Sequence, residues 1–123
     1  MKWIFLDGIP IYQQIVQIMQ IRIANGEYPL GSRLPAVRDL AMEAGVNPNT
    51  MQRALSELER SGIVHSERTS GRFVTEDEES MRQLRFMLGK ESIDAMFTSL
   101  GHLGLSKEEI VQAVTARANE LDE

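Results

Sequence analysis

One segment of this chain combines a helix cap with an apolar stripe at helical spacing: Gly45-Val46-Asn47-Pro48-Asn49-Thr50-Met51-Gln52-Arg53-Ala54-Leu55-Ser56-Glu57-Leu58-Glu59. Asn47 is a favoured N-cap residue, and Pro48 suits the first position of a helix because its missing N–H has no intrahelical partner there. The stretch therefore predicts a helix that runs to about Ser61 and is closed by Gly62. Four apolar residues at helical spacing form its inward face: Met51, Ala54, Leu55 and Leu58.

Two further helices are predicted upstream of this stretch. A short one runs from about Ala36 to Ala44 with Val37, Leu40 and Ala41 inward, and Gly45 ends it. Two helices joined by a glycine-containing turn, the second strongly capped, form a helix-turn-helix pattern. A longer helix, from Pro10 at its first position to about Asn25, precedes them, and its wide apolar face comprises Ile11, Tyr12, Ile15, Val16, Ile18, Met19 and Ile23.

After Gly62 the apolar period changes from helical towards two, which predicts strands. Residues 63–67 and 72–74 are predicted as two short strands, with the turn at 68–71 between them. A two-stranded ribbon directly after a helix-turn-helix is a wing. The sequence thus predicts a mainly α fold with a small β-wing, a winged helix-turn-helix domain over residues 1–74.

Residues 75–123 are predicted to form a short C-terminal helical segment. Thr75 is a candidate cap for a helix that begins in the acidic run 76–79, Gly89 marks a break, and Ser106 and Glu109 form a capping box for the last helix. The apolar stripe of this segment can pack on the first domain or on a second copy, and we expect a dimer because so small a helical pair needs burial to be stable. The predicted dimerisation residues are Met81, Leu84, Leu88, Ile93, Met96, Phe97, Leu100, Ile110, Val114 and Leu121.

Composition and charge exclude several classes of function. The chain has no cysteine, which excludes a disulfide framework and a thiol nucleophile. Residues 1–74 carry eight basic and seven acidic residues, a net charge of +1, whereas residues 75–123 carry five and eleven, a net charge of −6. The acidity of the chain therefore lies in the C-terminal segment. No signal peptide or membrane span is predicted, and a cytoplasmic location is expected. The two histidines, His65 and His102, are far apart and suggest no metal site, so neither a cofactor nor an enzyme is expected.

Residues 10–74 resemble the DNA-binding domain of the GntR family of bacterial regulators. The resemblance rests on Pro10-Ile11-Tyr12-Gln13-Gln14-Ile15, on the stretch from Gly31 to Ala41, on the stretch quoted above, and on the wing ending Gly71-Arg72-Phe73-Val74. The Asn-Pro-Asn-Thr opening of the third helix and the brevity of the tail look like the YtrA subfamily, in which a small helical dimerisation segment replaces a large effector domain.

The resemblance implies that the third helix is a recognition helix that reads double-stranded DNA. With the apolar stripe of that helix inward, Asn49, Gln52, Arg53 and Ser56 face outward at its N-terminal part, which is the part that recognition helices present to the major groove. Asn47 is interpreted mainly as the helix cap. The family also implies DNA contacts for Arg38, Thr50 and the wing residues Arg68, Thr69, Ser70, Gly71 and Arg72.

The wing turn departs from the family pattern. The family more often has two glycines here, and Thr69 stands where the first of them usually lies. A β-branched residue takes a positive φ only at a cost, so this departure bears on the turn conformation and on how closely the backbone can approach DNA.

The function predicted from these patterns is sequence-specific DNA binding by a transcriptional regulator. The resemblance implies a homodimeric repressor on an inverted-repeat operator, with a transporter operon as the typical target and a small-molecule effector left open. The alternative is a winged-helix adaptor that binds proteins and has lost specific DNA binding.

Overall fold

A computed structural model describes residues 3–121 of the chain as five helices and one two-stranded sheet. The elements are α1 (Ile11–Ala24), α2 (Val37–Ala44), α3 (Pro48–Arg60), β1 (Val64–Glu67), β2 (Gly71–Val74), α4 (Glu78–His102) and α5 (Lys107–Leu121). This order confirms the predicted winged helix-turn-helix fold, mainly helical with a small β-wing. Among residues 3–121, no helix is both long and apolar enough to cross a membrane.

The three N-terminal helices bury one apolar core. All four residues predicted to face inward from α3 are buried, and Met51, Ala54 and Leu58 have no exposed surface. The buried stripe of α1 is narrower than predicted, because it consists of Ile15, Met19 and Ile23, whereas Ile11 remains 43% exposed. α2 contributes Leu40, Ala41 and Ala44.

The residues predicted to end α2 and to cap α3 do so, whereas the predicted start of α1 is displaced by one residue. Gly45 ends α2 in the left-handed conformation at φ 76°, which a residue without Cβ adopts cheaply. Asn47 caps α3, since its side-chain oxygen accepts a hydrogen bond from the Asn49 N–H at 2.7 Å. Pro10 is the N-cap residue of α1 rather than its first helical residue.

The wing is an antiparallel pair in which Val64 lies opposite Val74 and Glu67 opposite Gly71. Residues 32–34 extend it on the free edge of β2, because the Leu34 N–H donates to the Arg72 carbonyl at 2.8 Å and the Val74 N–H to the Ser32 carbonyl at 2.9 Å. The positive φ of the turn falls on Gly71, at 104°, and no non-glycine residue from 3 to 121 has a positive φ. Thr69 therefore occupies the turn without the strain that the missing glycine suggested.

α4 is one continuous helix of 25 residues. The predicted break near Gly89 is wrong, because a glycine inside a helix costs only about 1 kcal/mol and needs no interruption. The cap also differs from the prediction: Asp77, not Thr75, accepts hydrogen bonds from the Glu79 N–H at 3.2 Å and the Ser80 hydroxyl at 2.7 Å. These bonds lower the pKa of Asp77, the bond from Ser80 most.

The chain divides into two compact units, the first ending at Arg85 and the second beginning at Phe86. The division lies downstream of the predicted boundary at Val74, because the first turns of α4 belong to the first unit. Met81 and Leu84 are 2% and 7% exposed there. These two residues, predicted to dimerise, are core residues of the first unit.

The second unit contains the rest of α4 together with α5. The predicted capping box is present, with the Ser106 N–H donating to Glu109 Oε1 at 2.8 Å and the Glu109 N–H donating to Ser106 Oγ at 3.1 Å. Of residues 86–121, all of which the structure describes, Ile110 alone is buried. The unit therefore has almost no apolar core of its own.

Residues 3–10, the N-terminal arm, contact α1 and α2 through the side chain of Trp3. The Arg22 guanidinium lies 4.5 Å from the centre of the Trp3 ring, and both side chains donate to the Glu43 carboxylate, at 2.7 Å from Arg22 and 2.9 Å from Trp3. The hydrogen bonds from Arg22 and then from Trp3 lower the pKa of Glu43.

Candidate nucleic-acid interface

The outer face of α3 is polar along its N-terminal half. Asn49, Gln52, Arg53 and Ser56 are all exposed, and Thr50 is half-buried. They lie on the helix face opposite Met51, Leu55 and Leu58, so burial of the apolar face fixes the rotation of the helix and thereby presents the polar one. The structure places these predicted residues on one exposed surface.

Arg53 contacts Tyr12, an aromatic residue that helical periodicity predicts on the inward face of α1. Its guanidinium carbon lies 3.7 Å from the centre of the Tyr12 ring, a close cation–π contact. The two side chains line an open groove of about 450 Å³ between the start of α1 and the start of α3, together with Pro10, Ile11, Asn49 and Thr50. Periodicity alone placed Tyr12 inward because its position lies at the edge of the apolar stripe.

Two other predicted residues lie near α3. Arg38 is exposed on α2 and has no ion pair among the described residues, so its charge is available to an anion. The side-chain oxygen of Asn47 is already used by the cap bond, as the sequence predicted. Its amide nitrogen remains the group that can contact a ligand.

The wing tip presents Arg68, Thr69, Ser70 and Gly71, all exposed. A cation missed in the sequence analysis lies beside them: a Cβ built on Gly71 would come within 3.1 Å of Arg33 Nε. Arg33 reaches this place because residues 32–34 pair with β2, as shown by the bridge between Arg33 and Phe73. The two prolines of its loop, Pro29 and Pro35, gave no signal that residues 32–34 pair with β2.

Arg72 is engaged within the protein. Its Nε donates to Glu59 Oε1, which also accepts a hydrogen bond from the Ser66 hydroxyl at 2.8 Å. The Arg72 and Glu59 side chains are 17% and 29% exposed. No local sequence pattern predicts this pair, because its members lie 13 residues apart on α3 and β2. This ion pair joins the wing to α3.

The pKa of Glu59 lies below its ordinary value of 4.5. Burial acts in the opposite direction, but the hydrogen bonds from Arg72 and Ser66 and the charge of Arg72 outweigh it. Because the folded-state pKa is the lower one, the ionised pair stabilises the docked wing above about pH 4.5, and that stabilisation is lost as the pH falls through the lowered pKa.

Glu59→Gln is expected to loosen the wing without unfolding the domain. The amide keeps the shape but loses the charge, so the protection factors of the amides in residues 71–73 should fall about fivefold at pH 7. The further loss of protection that the wild type shows below pH 5 should be absent from this variant. Glu57→Gln is the matched control, because the partner of Glu57 is Arg60, whose side chain is 80% exposed. Equal exchange rates in the two variants would contradict a bracing role for Glu59.

Metal-ligating side chains do not gather in the region that the structure describes. No group of three or more His, Asp and Glu side chains within residues 3–121 is arranged to hold a metal ion. His65 instead stacks on Phe73 in the wing, with ring centres 6.0 Å apart, and its Nε2 lies 3.1 Å from Glu67 Oε2.

Known proteins share both the sequence and the fold. The HTH-type transcriptional regulator YhcF of Bacillus subtilis is 38% identical over 110 residues, which cover 89% of this chain and 91% of YhcF. The HTH-type transcriptional repressor YtrA of the same organism is 32% identical over 105 residues, covering 85% of this chain and 81% of YtrA. A solved GntR family transcriptional regulator from Listeria monocytogenes superposes with a TM-score of 0.78 at 38% identity, covering 91% of this chain and 98% of that one.

A family comparison agrees with these relatives. The family described as "Bacterial regulatory proteins, gntR family" matches residues 11–74, which contain α1, the helix-turn-helix and the whole wing. The matched segment also contains the exposed polar face of α3 and the wing tip. The chain therefore belongs to the GntR family of bacterial regulators, and it is a DNA-binding transcriptional regulator, not an enzyme.

Proposed function

We propose that the chain is a homodimeric repressor that binds an inverted-repeat operator, with one α3 helix in the major groove of each half-site. The observation that carries this proposal is the polar, exposed N-terminal half of α3 on a helix whose opposite face is fully buried. A helix fixed in this way can present the same side chains to each base pair it meets.

The exposed side chains of α3 have the chemistry of base recognition. Asn49 and Gln52 each carry an amide that can pair with both N6 and N7 of adenine, and the Arg53 guanidinium can pair with O6 and N7 of guanine. Each such bidentate contact contributes about 1–3 kcal/mol of discrimination. Ser56 can contact either a base edge or the backbone.

The remaining cations and the wing supply phosphate contacts. Arg38 on α2 and Arg68 on the wing tip flank α3 in sequence, and both are exposed. Arg33 lies beside Gly71, which adds a further charge at the wing. Thr69 and Ser70 offer hydroxyl donors to phosphate oxygens. Phosphate contacts set register and orientation, while the base contacts of α3 provide specificity.

Dimerisation is proposed to use the second unit. Three of its predicted residues are exposed apolar side chains, with Ile93 at 49%, Val114 at 42% and Leu121 at 64%. Four more, Leu88, Met96, Phe97 and Leu100, are half-buried, whereas Ile110 is already buried in the single chain. A helical pair with so little core gains stability when a second copy covers its apolar face.

Repression, as opposed to activation, is proposed from the similarity to YtrA. YtrA of Bacillus subtilis, at 32% identity, is named a transcriptional repressor. A dimer that occupies two half-sites within a promoter blocks access of the polymerase without any further domain. The resemblance to YtrA makes a neighbouring transporter operon the first target to examine.

The proposal is tested by titrating the DNA upstream of the chain's own gene with the wild type and with Arg53→Ala over a salt series. Wild-type affinity should fall steeply with salt, and Arg53→Ala should weaken specific binding about 5- to 150-fold while relaxing base preference. Arg82→Ala is the control, since Arg82 is exposed near the start of α4, pairs with Glu79 and lies outside the second unit.

Two outcomes would refute the proposal. Binding that is weak, indifferent to sequence and equal in both variants would favour the protein-binding adaptor. An equal loss in Arg53→Ala and Arg82→Ala would show that α3 does not read the bases.

A further inference from the structure

The contact between Tyr12 and Arg53 lies at the edge of the polar face of α3. We propose that Tyr12 is a positioning residue for base recognition, in that its ring fixes the Arg53 guanidinium before DNA arrives. The distance of 3.7 Å from guanidinium carbon to ring centre is that of a close stack. This inference rests on the proposed function of α3 and assigns to a residue of α1 a role in it.

The stack leaves the recognition chemistry of Arg53 intact. A cation–π contact uses the flat face of the guanidinium, whereas its N–H donors lie in the plane and point away from its edge. In the described part of the chain, Arg53 has no hydrogen bond or ion pair besides this ring contact. The edge that would pair with guanine is therefore uncommitted.

The neighbouring acid on α3 does not compete for Arg53. Glu57 lies four residues further on, at helical pairing distance, but its carboxylate binds Arg60 at 3.2 Å. A carboxylate on Arg53 would occupy the same N–H donors that a guanine needs. An aromatic ring restrains the side chain without occupying them, which distinguishes positioning from neutralisation.

Tyr12 is itself restrained, so it can serve as a fixed platform. It lies in the first turn of α1, is half-buried, and its hydroxyl accepts a hydrogen bond from Gln13 Nε2 at 3.3 Å. α1 is anchored by Ile15 and Met19, which are fully buried. A long arginine side chain loses much rotamer freedom on binding, and a platform that removes this freedom beforehand raises affinity.

The test compares Tyr12→Leu, which removes the ring, with Tyr12→Phe, which keeps it. Tyr12→Leu is expected to weaken specific binding to the upstream DNA about fivefold, whereas Tyr12→Phe should remain within about twofold of wild type. Tyr28→Leu is the matched control, because Tyr28 contacts Arg22 and not Arg53. Thermal unfolding of each variant shows that the domain remains folded.

A double-mutant cycle separates positioning from a general effect on the fold. In an Arg53→Ala background, Tyr12→Leu should change the affinity no further, because its effect passes through the arginine. Equal losses in both backgrounds would overturn the proposal. A Tyr12→Leu variant that binds like wild type would also overturn it, while leaving the proposed function in place.

A measurement without DNA tests the contact itself. The side-chain NMR signals of Arg53 should show an upfield ring-current shift that survives in Tyr12→Phe and disappears in Tyr12→Leu. Unshifted Arg53 signals in the wild type would refute the platform. If the shift is present but the wild type binds no specific DNA, the proposed function fails, and the positioning role fails with it.

Discussion

A chain that ends at Arg85 is expected to remain folded, to be monomeric and to bind a two-half-site operator about 100-fold more weakly than the full chain. The cut follows the division between the two compact units. It keeps Met81 and Leu84, which are buried in the first unit. A cut after Val74 would remove both residues and confuse loss of stability with loss of dimerisation.

The size of this effect follows from effective concentration. When two recognition helices are linked, the second half-site is bound as an intramolecular event, which multiplies affinity by about 10²–10⁴ without new contacts. Sedimentation should report a monomer for the shortened chain, and its affinity for a single half-site should match that of the full chain. A shortened chain that still sediments as a dimer would refute the role of the second unit.

A substitution in the 123-residue chain tests the role of the second unit without truncation. Val114→Asp places a charge in the exposed apolar face of α5 and should dissociate the dimer. Gln112→Asp is its control, because a step of 100° per residue puts position 112 on the opposite face of the helix. Operator affinity should fall for Val114→Asp and stay unchanged for Gln112→Asp.

Met51→Ala is expected to lower the free energy of unfolding by about 2–5 kcal/mol. Met51 has no exposed surface and belongs to the buried face of α3, so truncation leaves a cavity. A domain of this size has a total stability of only about 5–15 kcal/mol, so the loss should be visible as a large fall in the melting temperature.

A methionine on the neighbouring helix provides the control. Met42 on α2 is 69% exposed, so Met42→Ala makes the same chemical change without a cavity. Its expected effect on the free energy of unfolding is within about 0.5 kcal/mol. Equal destabilisation by the two substitutions would contradict the core described for α3.

Structural elements with local causes could be predicted from the sequence. The Asn47 cap, the buried stripe of α3 and the capping box at Ser106 and Glu109 each depend on residues within one or two helical turns, and all three are present. The outward face of α3 followed from its inward face by geometry alone. The candidate recognition residues could therefore be named before the fold was known.

Features that depend on contacts between distant segments could not be predicted. The pair of Glu59 with Arg72 and the contact of Tyr12 with Arg53 join residues separated by 13 and 41 positions, and no pattern in the sequence links them. The same holds for Met81 and Leu84, whose apolar spacing fits either the first unit or a dimer. The predicted helix break at Gly89 was wrong for another reason: the low helix propensity of glycine is a weak preference, and a long helix overrides it.

The contacts of Trp3 make this residue an intrinsic fluorescence probe of the N-terminal arm. Trp3 is the only tryptophan in the sequence, and it contacts Arg22 on α1 and Glu43 on α2. Its fluorescence therefore reports whether the arm is docked on the first two helices. Trp3 emission and circular dichroism can then be recorded in the same unfolding experiment. The comparison separates detachment of the arm from unfolding of the winged helix-turn-helix domain.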